Sequence, residues 1–83
     1  MEFLFKDTAE RDLRYFCKDK TILKRIETLL KDIKQHPYTG LGKPERLKEN
    51  LSGFYSRRIN REHRIIYKVD NKTVTFYSFR GHY

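Results

Sequence analysis

Eighty-three residues leave room for one domain with a small core, burying roughly 60–65% of its unfolded surface. A hydrophobic share of 37% with 14% aromatic residues excludes a disordered chain. An apolar run of roughly 18 residues and a basic start followed by an apolar stretch are both lacking, so neither a membrane span nor a signal peptide is expected. The net charge of +8 is uneven: residues 1–42 carry nine Lys or Arg against seven Asp or Glu, residues 43–83 ten against four. Clustered cations gain by releasing counterions from phosphates, so the second half points to a polyanionic partner.

Met1 to Lys6 is short, apolar and aromatic, as a first strand should be. Asp7 and Glu10 have the spacing of a capping box, and Ala9, Leu13, Phe16 and Cys17 fall on one helical face. Cys17, the lone cysteine, reads as a small core residue, with no internal disulfide and a reducing, cytoplasmic setting. A second helix opens at Asp19 or Thr21, with Ile22, Leu23, Ile26, Leu29, Leu30 and Ile33 recurring at helical spacing. Pro37, Gly40, Gly42 and Pro44 end it near His36 and begin a loop that leads through Glu45–Asn50. Three extended segments follow, 54–59, 63–69 and 73–80, separated by turns: an antiparallel meander. On the middle strand Ile65, Tyr67 and Val69 should meet the helices, and Arg64, Ile66 and Lys68 should line an open surface. The order predicts an α+β fold, an N-terminal strand and two helices packed on one face of an antiparallel sheet, as a single domain over 1–83.

Three kinds of group in the second half can act together on a phosphodiester. Cleavage of RNA at its own 2′-hydroxyl needs a base, an acid and cations that hold the charge on phosphorus. Glu45, flanked by Lys43, Arg46 and Lys48, should stay ionised and could take the 2′ proton. Arg64, at the start of a strand, offers paired donors to phosphate oxygens. Arg57 and Arg58 are adjacent on a strand, so only one of them can share a face with Arg64. His82, beside the Tyr83 carboxylate, could hand a proton to the leaving oxygen. Tyr83 offers a ring for base stacking. Taken alone, each also reads as an ordinary surface group: a loop glutamate, solvated arginines, a frayed terminal histidine. His63 reads as a structural turn residue. The histidines and the cysteine share no ligand spacing, so no metal or cofactor is expected.

The run GLGKPERLKENLSGFYSRRINREHRIIYKV, followed by the ending RGHY, resembles the YoeB (Txe) toxins, a branch of the RelE-like toxins of bacterial toxin–antitoxin modules. The resemblance spans the whole chain. It implies a ribosome-dependent endoribonuclease that cuts messenger RNA in the decoding A site, leaving a 2′,3′-cyclic phosphate and a 5′-hydroxyl. Glu45 falls on the family's general base, Arg64 on its transition-state arginine, His82 on its general acid and Tyr83 on its terminal tyrosine. Lys43, Lys48, Arg57 and Arg58 are then expected to contact RNA. Gly81 stands where some members carry a larger aromatic residue. The implied partners are the ribosome with its message, a YefM- or Axe-like antitoxin with an acidic tail, and a second copy of the toxin, with operator DNA met only through the antitoxin complex. The alternatives are a non-enzymatic gyrase poison of the ParE type, on the same fold, and a basic RNA-binding module without catalysis.

Overall fold

The computed structural model describes residues 1–48, 51 and 53–81. The chain runs through β1 (Glu2–Phe5), α1 (Asp7–Tyr15), α2 (Lys20–Gln35), β2 (Glu45–Arg46), β3 (Phe54–Arg58), β4 (Arg64–Asp70) and β5 (Thr73–Ser78). The strands form one sheet in the order β1-β5-β4-β3-β2. The expected meander is β3-β4-β5, antiparallel throughout. Two pairings extend it. β1 joins β5 in parallel, Glu2 opposite Thr73 and Phe5 opposite Phe76, so the sheet is mixed. β2 adds a fifth strand after the loop, with Glu45 opposite Ser56 and Arg46 opposite Tyr55; two residues are too few to show an alternating pattern.

Both helices cover one face of the sheet. Ala9 of α1, Phe16 just beyond its end, and Ile26, Leu29 and Ile33 of α2 pack with Ile59, Ile65, Tyr67, Val74, Phe76 and Phe79. Phe76 is the aromatic centre, its ring 4.9 Å from Phe3, 5.0 Å from Phe5, 5.7 Å from Phe79 and 5.9 Å from Tyr67 between centroids. Such pairs add about 0.5–1.5 kcal/mol each beyond their buried area. Asp19 caps α2, its Oδ1 accepting from the Ile22 N–H at 3.1 Å. The capping box expected at Asp7 does not form: Asp7 is already helical, and Lys6 takes the cap position in extended backbone with no side-chain bond. Cys17 lies past the end of α1 and is exposed rather than core. Among the described residues, no helix is long and apolar enough to cross a membrane.

The helix–sheet contact encloses one cation. Arg57 is wholly buried, and each of its five N–H donors has an acceptor. Nε donates to the Tyr67 hydroxyl at 3.1 Å. Nη1 donates to Asp32 Oδ2 at 2.6 Å and to the Leu41 carbonyl at 2.8 Å. Nη2 reaches the carbonyls of His36 and, at 2.8 Å, Thr39. Tyr67 in turn donates to the Pro37 carbonyl at 2.8 Å, and Asp32 Oδ2 accepts from the Leu41 N–H at 3.0 Å. One guanidinium thus ties the loop after α2 to the middle of the sheet. The hydrogen bond from Arg57 holds the Asp32 carboxyl below its ordinary value of 3.8, while burial pushes the Tyr67 phenol up. Gly42 closes the loop: its carbonyl accepts from the Arg58 N–H at 2.6 Å. Its φ of +79° and a Cβ that would stand 2.9 Å from Leu29 Cδ2 leave no room for a side chain there.

Removing one partner of a buried pair strands the other charge, so Asp32→Ala should lower the unfolding free energy by about 3–5 kcal/mol in urea titrations. The folded Asp32 carboxyl titrates below 3.8, so its contribution is complete above that value and is lost as pH falls through the folded one. The stability gap between the wild type and Asp32→Asn should therefore narrow on acidification below pH 3.8; a gap that stays constant to low pH would contradict this assignment.

Candidate active site

Strand alternation sorts the basic residues of β3 and β4 into two faces. Tyr55 and Arg57 turn toward the helices; Phe54, Ser56 and Arg58 turn away, as do Arg64, Ile66 and Lys68 on β4. Register then sets rows across the open face. Glu45 stands opposite Ser56, and Ser56 opposite Ile66. The next row pairs Arg58 with Arg64. The carboxylate is thus carried at the sheet edge, beside two arginines that rise from neighbouring strands.

Glu45 and Arg64 meet. Glu45 Oε1 lies 3.5 Å from Arg64 Nη1, with the glutamate side chain 57% exposed and the arginine 24% exposed. Among the described residues, Arg64 makes no other side-chain hydrogen bond. Its backbone is anchored, the N–H donating to the Gly81 carbonyl at 3.0 Å. The pair sets a proton acceptor next to a fixed cation, which is the local arrangement that activation of a hydroxyl beside a phosphate requires.

Lys43 and Lys48 are exposed on either side of Glu45, and Arg58 is half-buried opposite Arg64. Arg57 does not join them. It is 0% exposed and spends all five donors inside the protein, so the expected RNA contact is replaced by a structural role. Period-two alternation carried the signal, because Tyr55, Arg57 and Ile59 share a face with the apolar positions. His82 and Tyr83 lie outside the described residues. His63, read as structural from the sequence, sits between the site and the chain's last described segment: its Nδ1 accepts from the Gly81 N–H at 2.8 Å. Ser56, next to Glu45 in its row, has a buried hydroxyl with no hydrogen-bond partner among the described residues. No three His, Cys, Asp or Glu side chains among the described residues gather closely enough to hold a metal ion.

Comparison with known proteins gives the chain's relatives. A family model described as the YoeB-like toxin of bacterial type II toxin–antitoxin systems matches residues 5–83. The toxin YoeB of Synechocystis sp. is 45% identical over 84 aligned residues, covering 100% of this chain and 98% of the relative. Two Staphylococcus aureus structures superpose closely, each 45% identical and covering 100% of this chain and 98% of its own. One is a YoeB dimer, with a TM-score of 0.91; the other is a heterotetrameric YoeB–YefM toxin–antitoxin complex, with a TM-score of 0.90.

A single long contact between two solvated groups contributes less than about 1 kcal/mol. Glu45→Gln and Arg64→Gln should accordingly melt within a few degrees of the wild type in thermal scans. A large destabilisation in either would assign the pair a structural task.

Proposed function

Since the chain belongs to the YoeB-like toxins of bacterial type II toxin–antitoxin systems, we propose that it is a ribosome-dependent endoribonuclease that cuts messenger RNA in the A site and so halts translation. The observation that carries this reading is the Glu45–Arg64 contact on the open face, 3.5 Å long.

In the proposed reaction, Glu45 accepts the proton of a 2′-hydroxyl as that oxygen attacks the adjacent phosphorus. Arg64 carries the negative charge that grows on the non-bridging oxygens, with Arg58 opposite it and Lys43 and Lys48 along the approaching backbone. The bond from phosphorus to the 5′ oxygen breaks, and His82 protonates that leaving oxygen. The products are a 2′,3′-cyclic phosphate and a 5′-hydroxyl, with no net gain or loss of protons. Tyr83 stacks on a base and fixes the nucleotide in line. No metal or cofactor takes part in this scheme. The same face suits the acidic tail of a YefM-like antitoxin, because a peptide of carboxylates and an RNA backbone seek the same arginines. By analogy with the staphylococcal assemblies, a second copy of the toxin and an antitoxin are the proposed protein partners.

Cell-free translation with purified protein tests the reading. Cuts are expected on the translated copy of a message and not on an untranslated copy, with cyclic phosphate ends. Glu45→Gln and Arg64→Gln should each slow single-turnover cleavage by about 10²–10⁴-fold while remaining folded. Intact message alongside blocked DNA supercoiling would favour the gyrase poison instead.

A further inference from the structure

The three residues after β5 are tied down one by one. Phe79 is buried in the core, and its N–H donates to Asp12 Oδ2 of α1 at 3.0 Å. The Arg80 guanidinium lies 3.8 Å from the ring centroid of Tyr15. Gly81 is gripped at both of its peptide groups: its N–H donates to His63 Nδ1 at 2.8 Å, and its carbonyl accepts from the Arg64 N–H at 3.0 Å. An imidazole nitrogen accepts only through its lone pair, so the Nδ1 that meets this amide carries no proton. Gly81 holds a φ of +72° with open space where a Cβ would stand, so the conformation rather than crowding favours glycine here.

His63 is itself well placed to hold. Its ring packs edge-on against Phe16, 5.0 Å between centroids. Its N–H donates to Asn60 Oδ1 at 2.8 Å, and its carbonyl accepts from the N–H groups of Ile59 and Asn60 at 2.9 and 3.3 Å. The turn 59–63 thereby fixes both the backbone and the ring plane of the acceptor.

We propose that His63 is a positioning residue, its Nδ1 and the Arg64 N–H forming a two-point clasp on Gly81 that holds the start of β4, and with it Arg64, beside Glu45. This rests on the nuclease reading, in which Arg64 carries the charge that grows on the phosphate oxygens. The clasp takes its second donor from the backbone of Arg64 itself, so the strand end that bears the transition-state cation is held at that point. Misplacing a catalytic group by about an ångström costs up to about 10²-fold in rate, which makes such an anchor worth having.

Two substitutions separate the acceptor from the ring. His63→Phe keeps the packing on Phe16 and removes the acceptor. His63→Asn loses the ring but returns an oxygen at the branch point where Nδ1 stood, with the turn's backbone bonds intact in both. The expected result is a fall in kcat of about 10- to 100-fold for His63→Phe, with KM little changed. His63→Asn should stay within about fivefold of wild type, the scale of one hydrogen bond. Hydrogen exchange at the Gly81 amide should be several-fold faster in His63→Phe than in the wild type or His63→Asn. Equal Gly81 exchange in all three proteins would show that no clasp exists. Faster exchange in His63→Phe with an unchanged kcat would deny it a part in catalysis, as would two variants that lose activity only in proportion to their melting temperatures. A wild type that leaves translated message intact overturns the nuclease reading and the positioning role together, and Gly81 exchange then still reports on the clasp by itself.

Discussion

The buried guanidinium of Arg57 is the constraint around which this molecule is arranged. An unpaired cation in a protein interior is unaffordable, so its five donors dictate where five acceptors must stand. Three of them are backbone carbonyls of the loop after α2, at His36, Thr39 and Leu41. Meeting that demand folds the loop back over the core and delivers Gly42 to the Arg58 N–H. Two residues after Pro44 then pair with β3 as β2 and carry Glu45 to the sheet edge. The carboxylate at the site thus owes its address to a charge on the opposite face of the neighbouring strand. Arg57 and Arg58, neighbours in sequence, divide the labour: one builds the loop, the other looks out onto the open face.

Much of this organisation was legible in the residues. α2 announced itself by the spacing of Ile26, Leu29 and Ile33, its cap by Asp19, and the meander by turn residues between β-rich runs. Ile65 and Tyr67 went to the core as alternation required. What escaped reading has identifiable causes. The role of Arg57 was hidden by its charge, although its phase with Tyr55 and Ile59 pointed inward; residue type and periodicity conflicted, and periodicity prevailed. β2 is too short to show a pattern, and its pairing depends on a loop that Arg57 organises from afar. The parallel seam between β1 and β5 joins the two extremes of the sheet's sequence, a contact that local pattern does not encode. Of the candidate site, Glu45, Arg64 and Arg58 came from the family resemblance together with strand register. The part of His63 required coordinates, because nothing in a turn histidine says which amide its ring will meet.

The sheet has two unlike faces, and the division of charge follows them. Helices and aromatic rings occupy one; Glu45, Arg58, Arg64 and Lys68 mark the other. In the proposed function that second face serves two polyanions in turn, RNA and the antitoxin's acidic tail. The electrostatics need not distinguish them, since the attraction is set by phosphate- or carboxylate-sized charge near fixed cations. Discrimination falls to the uncharged parts of the face, such as the Phe54 ring packed 4.9 Å from Tyr77.

The seam between the first strand and the fifth also governs when the protein can exist in finished form. Glu2 to Phe5 emerge early in synthesis, yet their register partners in the sheet are residues 73–76, and the Glu2 N–H donates to the Lys72 carbonyl. Until those have been released from the polymerising ribosome, β1 has nothing to dock on and Phe76 cannot enter the ring cluster that it centres. Maturation therefore waits on the fifth strand: a nascent chain lacking β5 holds neither a closed core nor a seated N-terminus.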